Sequence, residues 1–173
     1  QCVAKGVKGG IVITAGFAES GPQGARMQAQ IAAEARDKGF HFIGPNCWGI
    51  WSTAGRVNNV LNRQMHPAPG SVAILSQRGT LGKYFYNGTL RGGFGASRFI
   101  SCGNQASIKL VDLLAYLGED PETRVITAYI EDVGDGRRFA DVAAAIAVRK
   151  PLLVFKAGST PAAARAARSH TAA

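Results

Sequence analysis

Val72-Ala73-Ile74-Leu75-Ser76-Gln77-Arg78-Gly79-Thr80-Leu81-Gly82 reads as a buried strand that turns directly into a helix. No polar residue interrupts Val72 to Leu75, as expected of a strand covered on both faces. Downstream the same alternation of element types repeats. A helix ends near Gly92-Gly93, and Ser97 to Cys102 is the next strand, followed by Gly103-Asn104. Ile108, Val111, Leu114 and Ala115 fall at helical spacing, and Asp120-Pro121 closes that segment. Val125 to Ile130 is a third strand. Phe139, Val142, Ala143, Ile146 and Ala147 make the clearest amphipathic stripe of the chain, stopped by Lys150-Pro151. Leu152-Leu153-Val154-Phe155 is the fourth strand. The order predicts an α/β fold in which Ser71 to Phe155 forms four parallel strands with helices on both faces and right-handed crossovers.

Upstream, Gly9 to Ala15 is a continuous β-branched run, read as another buried strand. A loop with Gly and Pro spans Gly16 to Gly24, then Ala25 to Asp37 is rich in good helix formers and stops at Gly39. His41-Phe42-Ile43 is a short strand ending in the turn-rich Gly44-Pro45-Asn46-Cys47-Trp48-Gly49. This is one and a half βα units, the tail of a doubly wound domain. Asn58 to Gly70, with Pro67-Ala68-Pro69-Gly70, carries no apolar period and reads as a linker. Gln1-Cys2-Val3-Ala4-Lys5 has no initiator Met and runs straight into a strand, so the chain is expected to begin partway through a fold.

Composition bounds the function. Of 173 residues 46% are hydrophobic and 18% charged, which excludes disorder and supplies a core for one ordinary domain or two small ones. The apolar runs are strand-length, too short to span a membrane as helices. Twenty basic against 11 acidic residues leave a net charge of +9, which calls for an anionic partner. Nucleic acid is disfavoured in that role, because the basic residues are dispersed and not interleaved with aromatics. Cys2, Cys47 and Cys102 fit no metal-ligand spacing, and without a signal peptide they are expected as reduced thiols in a cytoplasm.

In open parallel sheets ligands sit outside the carboxyl ends of the strands, where N–H groups at helix starts are free. Ser76 to Gly79, Cys102 to Asn104, Glu131, and Lys156 to Gly158 should therefore crowd one edge, and two glycine turns make an anion cradle. His41 reads as an edge residue and His66 as part of the linker. By composition His170, in Ser169-His170-Thr171, reads as a tail residue.

A set of segments running in order along nearly the whole chain changes that reading. They are Ile11-Val12-Ile13-Thr14-Ala15-Gly16-Phe17-Ala18-Glu19, Ile43-Gly44-Pro45-Asn46-Cys47-Trp48-Gly49-Ile50 and Val72-Ala73-Ile74-Leu75-Ser76-Gln77. Gly103-Asn104-Gln105-Ala106, Tyr116 to Pro121, Tyr129-Ile130-Glu131 and Lys156-Ala157-Gly158 through Ser169-His170-Thr171 follow. Together they resemble the nucleoside-diphosphate-forming acyl-CoA synthetases, relatives of the succinyl-CoA synthetase α subunit.

The resemblance implies that residues 1–65 are the carboxyl half of a CoA-binding Rossmann-like domain and residues 66–173 a flavodoxin-like ligase domain with a phosphohistidine loop. It implies His170 as the phosphorylated histidine and Glu131 as the acid that orients it. Ser76, Gly79 and Thr80 match the helix start that holds the phosphoryl group, with Gly103 and Asn104 as the neighbouring turn. Thr14 and Ala15 fall where the family contacts CoA, and Cys47 where the thioester end would pass. No residue is expected to bind metal. The implied partners are CoA, phosphate, a small carboxylic acid, and an ATP-grasp domain or subunit that handles ATP/ADP with Mg²⁺. A cytoplasmic homo- or hetero-oligomer is expected.

Two positions depart from the family pattern. Arg78 stands where the turn usually has a second serine, and Ala172 where a glycine follows His-Thr. Arg78 could grip phosphate through its planar fork or obstruct the pocket. Neither the glycine-rich opening of the Rossmann domain nor anything like an ATP-grasp domain occurs in the chain. These departures keep a second reading open, a non-catalytic module that senses CoA or acyl-CoA in a larger protein such as a protein acetyltransferase.

Overall fold

The computed structural model describes residues 1–61 and 68–158. A 3-10 turn over Val3–Lys5 leads into strand β1 (Gly9–Ile11), and a second over Ala18–Ser20 precedes helix α1 (Pro22–Asp37). Strand β2 (His41–Ile43) pairs parallel with β1, Gly9 opposite His41 and Ile11 opposite Ile43. Pro22 occupies the first turn of α1, where a missing N–H costs nothing.

The main sheet has six strands. β3 (Ile50–Ser52), β4 (Val57–Asn58), β5 (Pro69–Ser76), β6 (Ala96–Ser101), β7 (Val125–Ile130) and β8 (Leu152–Lys156) lie in the order β4-β3-β6-β5-β7-β8. The four strands from β5 onward are all parallel, as expected. Helices α2 (Gly79–Arg91), α3 (Leu110–Glu119) and α4 (Gly136–Ala147) connect them.

Strand alternation sorts the core onto two faces. Ala73, Leu75, Ile100, Ile126, Ala128 and Ile130 pack under α3 and α4, against Leu110, Leu114, Leu117 and Ile146. Ile74 and Phe99 point the other way and meet Tyr86 of α2. Helices therefore cover both faces. Leu110, Leu114 and Leu117 fall one helical turn apart, which is why α3 buries a single stripe.

Two expectations are corrected. The run Gly9 to Ala15 is ladder-paired only to Ile11, although Val12 N–H still donates to Ile43 O at 2.9 Å. The presumed linker is partly structured at both ends, since Asn58 belongs to β4 and Pro69-Gly70 to β5. The ribbon β3–β4 runs antiparallel and pairs with β6, Trp51 opposite Phe99. Trp51 is 2% exposed, its ring edge-on to Tyr86 at 6.0 Å and to Phe99 at 6.3 Å. Residues before position 65 thus complete the sheet that follows it. Among the described residues no helix is long and apolar enough to cross a membrane.

Candidate functional site

Chain order and sheet order part company between β5 and β7. From β5 the chain crosses to β6 on one side, and β7 leads on to β8 on the other. The loops at the carboxyl ends of two such strands diverge and leave a crevice, the usual ligand position in an open α/β sheet. Ser76, Gln77 and Arg78 leave β5 at this crevice, and Glu131 leaves β7 opposite them.

The turn after β5 is tied by its own side chain. Ser76 is fully buried; its hydroxyl donates to Arg78 O at 2.5 Å and accepts from Arg78 N–H at 3.2 Å. Its single proton is taken up within the turn. Gly79, the first residue of α2, lies against Trp48; a Cβ there would come within 2.4 Å of the Trp48 Cβ. Thr80 is exposed. The start of α2 has no side-chain cap, whereas Asp135 caps α4, and Gln105 and Asp112 serve the start of α3. A 13-residue helix thus presents its amino end to the crevice, where an anion is favoured.

Gln77 builds the opposite wall. Its N–H donates to Tyr129 O at 3.0 Å, and its Oε1 accepts from the N–H groups of Glu131 (2.7 Å) and Asp132 (2.9 Å). The Glu131 side chain is only 1% exposed. Oε1 accepts the Tyr129 hydroxyl at 3.1 Å and lies 3.7 Å from the Arg78 guanidinium. Oε2 is buried and has no hydrogen-bond partner among the described residues. Burial first, then the charge of Glu131, push the Tyr129 hydroxyl above its ordinary range, so it stays protonated and donates. Lys156 Nζ donates to Glu131 O at 2.7 Å and pins the end of β8 to the end of β7.

On the other side of β5, Cys102 N–H donates to Ser76 O at 2.9 Å, which brings the Gly103-Asn104 turn beside the crevice. Gly103 adopts φ +58° with Pro45 O 2.2 Å from where a Cβ would stand, so no other residue fits without movement. The Asn104 side chain faces the amino-terminal unit: Nδ2 donates to Gln28 Oε1 (2.9 Å) and Glu19 Oε2, and Oδ1 accepts from Asn46 (3.3 Å). Glu19 Oε1 in turn accepts from Gly16 N–H (2.6 Å) and Phe17 N–H (3.1 Å), just beyond the exposed Thr14 and Ala15. One carboxylate therefore links the loop expected to meet CoA with the turn expected to meet phosphate.

Burial alone would raise the Glu19 carboxyl, but hydrogen bonds from Asn104 and the Gly16 and Phe17 backbone outweigh it and hold it below its ordinary value. A depressed folded-state value adds stability above the unfolded-state value, and that contribution disappears as pH falls through the folded one. An NMR pH titration should therefore show the Gly16 and Phe17 amides shifting together, with an inflection below the ordinary glutamate range. An inflection at or above that range would contradict the linkage.

Cys47 and Cys102 are both buried, donating to Val12 O (3.4 Å) and Ser76 O (3.6 Å). Burial raises both thiols, Cys102 to about 12. Cys47 thus sits protonated beneath the Thr14 loop. His41 is exposed on β2. His66, His170 and Ala172 lie outside the described residues. Ser76, Gly79 and Thr80 lie along the turn into α2, which Gln77 and Arg78 join to Glu131, and Gly103 follows the strand beside it. Sequence reading missed Gln77, Tyr129, Glu19 and Gln28 as partners, since their roles rest on hydrogen bonds across strands and between units. Among the described residues no group of three or more His, Cys, Asp or Glu side chains is placed to hold a metal.

A parallel sheet of order β6-β5-β7-β8, with an uncapped helix start and a buried acid at its switch point, defines a flavodoxin-like α/β domain. Residues 69–173 match the model of the succinyl-CoA ligase like flavodoxin domain, and the chain belongs to that family. It is 41% identical over 171 residues to the acetate–CoA ligase (ADP-forming) II subunit alpha of Pyrococcus furiosus, covering 99% of this chain and 37% of that protein. The 4-hydroxybutyrate–CoA ligase (ADP-forming) of Nitrosopumilus maritimus is 36% identical across the whole chain, which spans 25% of it. The dinucleotide forming acetyl-coenzyme A synthetase 1 of Candidatus Korarchaeum cryptofilum, solved in complex with phosphate and ADP, superposes with a TM-score of 0.91 at 38% identity. That match covers 99% of this chain and 37% of the other. The chain thus spans about a quarter to two fifths of the relatives it matches.

Proposed function

We propose that this chain is part of a nucleoside-diphosphate-forming acyl-CoA synthetase. In this reading residues 1–65 supply half of the CoA-binding domain, and residues 66–173 carry the histidine that relays phosphate. A phosphate oxygen bonds to the thioester carbonyl carbon of acyl-CoA, the C–S bond breaks, and CoA leaves as thiolate. One ring nitrogen of His170 then attacks the phosphorus of the acyl phosphate; the bond to the acyl oxygen breaks and the carboxylate departs. A nucleoside diphosphate finally accepts the phosphoryl group in an ATP-grasp domain or subunit outside this chain, where Mg²⁺ accompanies the nucleotide. The sequence can equally run in reverse. Thr14 and Ala15 would contact CoA above the buried Cys47. The protein is proposed to act in the cytoplasm as a homo- or hetero-oligomer.

One observation carries the reading. A buried carboxylate beside an uncapped helix start has one oxygen, Glu131 Oε2, with no hydrogen-bond partner among the described residues. A neutral imidazole suits that oxygen: one ring N–H donates to the carboxylate, which fixes the tautomer and leaves the other nitrogen nucleophilic. The phosphoryl oxygens then meet the amino end of α2.

Incubating the full-length protein with γ-labelled nucleoside triphosphate should give an acid-labile, base-stable adduct that peptide mapping places at His170. Absence of any adduct would move the assignment to the sensing module.

A further inference from the structure

Arg78 belongs to this chain's own version of the site, and its surroundings are unusual. It is the residue from which α2 starts, its side chain is 37% exposed, and its guanidinium lies 3.7 Å from Oε1 of a carboxylate that is 1% exposed. For this pair that is ion-pair distance, longer than an ordinary hydrogen bond. The Tyr129 hydroxyl holds the same carboxylate oxygen at 3.1 Å. A positive charge therefore stands between the buried acid and the helix start.

An anion at the amino end of α2 faces two difficulties here. The Ser76 hydroxyl has its proton taken up by Arg78 O, so it cannot donate to the anion while the turn keeps this form. The Glu131 carboxylate would also repel a phosphate dianion at close range through a medium poorer in screening than water. A guanidinium answers both, because its five donors lie in one plane and can serve a carboxylate along one edge and a phosphate along another.

Resting on the function proposed above, we propose that Arg78 sets the affinity of this site for inorganic phosphate, its guanidinium bridging Glu131 Oε1 and the phosphate held at the amino end of α2. The phosphate's partners are then the first N–H groups of α2 and the Arg78 fork, with Glu131 Oε2 left for the imidazole. In an otherwise hydroxyl-lined turn, the arginine supplies a full charge where the usual serine supplies one dipole.

The test is calorimetric titration of the full-length protein with inorganic phosphate, comparing the parent with Arg78→Ser and Arg78→Lys. Arg78→Ser should weaken phosphate binding about 10- to 100-fold, the loss of one charge-assisted contact. Arg78→Lys keeps the charge without the fork and should fall between. In steady-state turnover of acyl-CoA, ADP and phosphate, the KM for phosphate should rise by the same factor while the KM for acyl-CoA stays within about twofold. A merely structural arginine would move both constants together, and the lysine variant would not rescue one selectively. Phosphate affinity that is unchanged or higher in Arg78→Ser overturns the proposal and makes the arginine an obstruction. Because phosphate binding is read without turnover, a parent protein that forms no histidine adduct would refute the function while leaving the arginine's role still measured.

Discussion

His170→Asn in the full-length protein is expected to end net nucleoside triphosphate formation and to remove the labelled adduct. Asparagine keeps much of the size and hydrogen-bonding capacity of histidine but has no nucleophilic ring nitrogen. An amide nitrogen is not basic, so it cannot hold the phosphoryl group between two acceptors of high transfer potential. Both half-reactions then lose their common intermediate, and the effect is a loss of activity down to background. Binding of CoA should survive, since Thr14 and Ala15 belong to a different unit of the chain. A normal adduct in His170→Asn would place the chemistry on another residue and refute the assignment.

Glu131→Gln is expected to slow phosphoryl transfer by ~10²- to 10⁴-fold, the range found when an orienting carboxylate is neutralised beside a catalytic imidazole. Glutamine preserves the volume and can still accept the Tyr129 hydroxyl, so the turn built by Gln77 should persist. What disappears is the negative charge that, in the proposed relay, steadies the imidazole as it becomes phosphorylated. The stability readout separates this from simple damage. Replacing a buried carboxylate by an amide removes a desolvation cost, and the Arg78 side chain is 37% exposed and so remains partly hydrated. The melting temperature should therefore hold or rise while kcat falls. A parallel drop in both would reduce Glu131 to a structural role.

Much of the fold was legible because its strands are short apolar runs bounded by glycine and proline. His41–Ile43 and Val125–Ile130 occur with the limits read from the sequence, and α3 carries Val111, Leu114 and Ala115 of the stripe read there, with Ile108 just before its start. The ribbon β3–β4 was not legible. Ile50–Ser52 and Val57–Asn58 are too short to show a period of two; β4 pairs with β3, and β3 is anchored by pairing with β6 about fifty residues later. In the site, Ser76 and Glu131 could be found because strand ends on a parallel sheet converge. The side-chain bonding could not. Gln77 acts through two backbone N–H groups fifty-four and fifty-five positions away, and Asn104 turned out to hold Glu19 and Gln28 across the two units. Such partners follow from register, which composition and periodicity do not encode.

The ribbon also separates two notions of a module. The inherited family unit begins at residue 69, yet the cooperative unit begins earlier, because Trp51 fills the gap between Tyr86 and Phe99. An excision at the inherited boundary would strip β6 of its ladder partners at Arg98, Phe99 and Ile100 and uncover an aromatic face. Recombination that swaps ligase domains between proteins must therefore carry the preceding twenty residues or find a replacement tryptophan. A cut just before residue 69 parts β6 from β3 and leaves Trp51 on the discarded side.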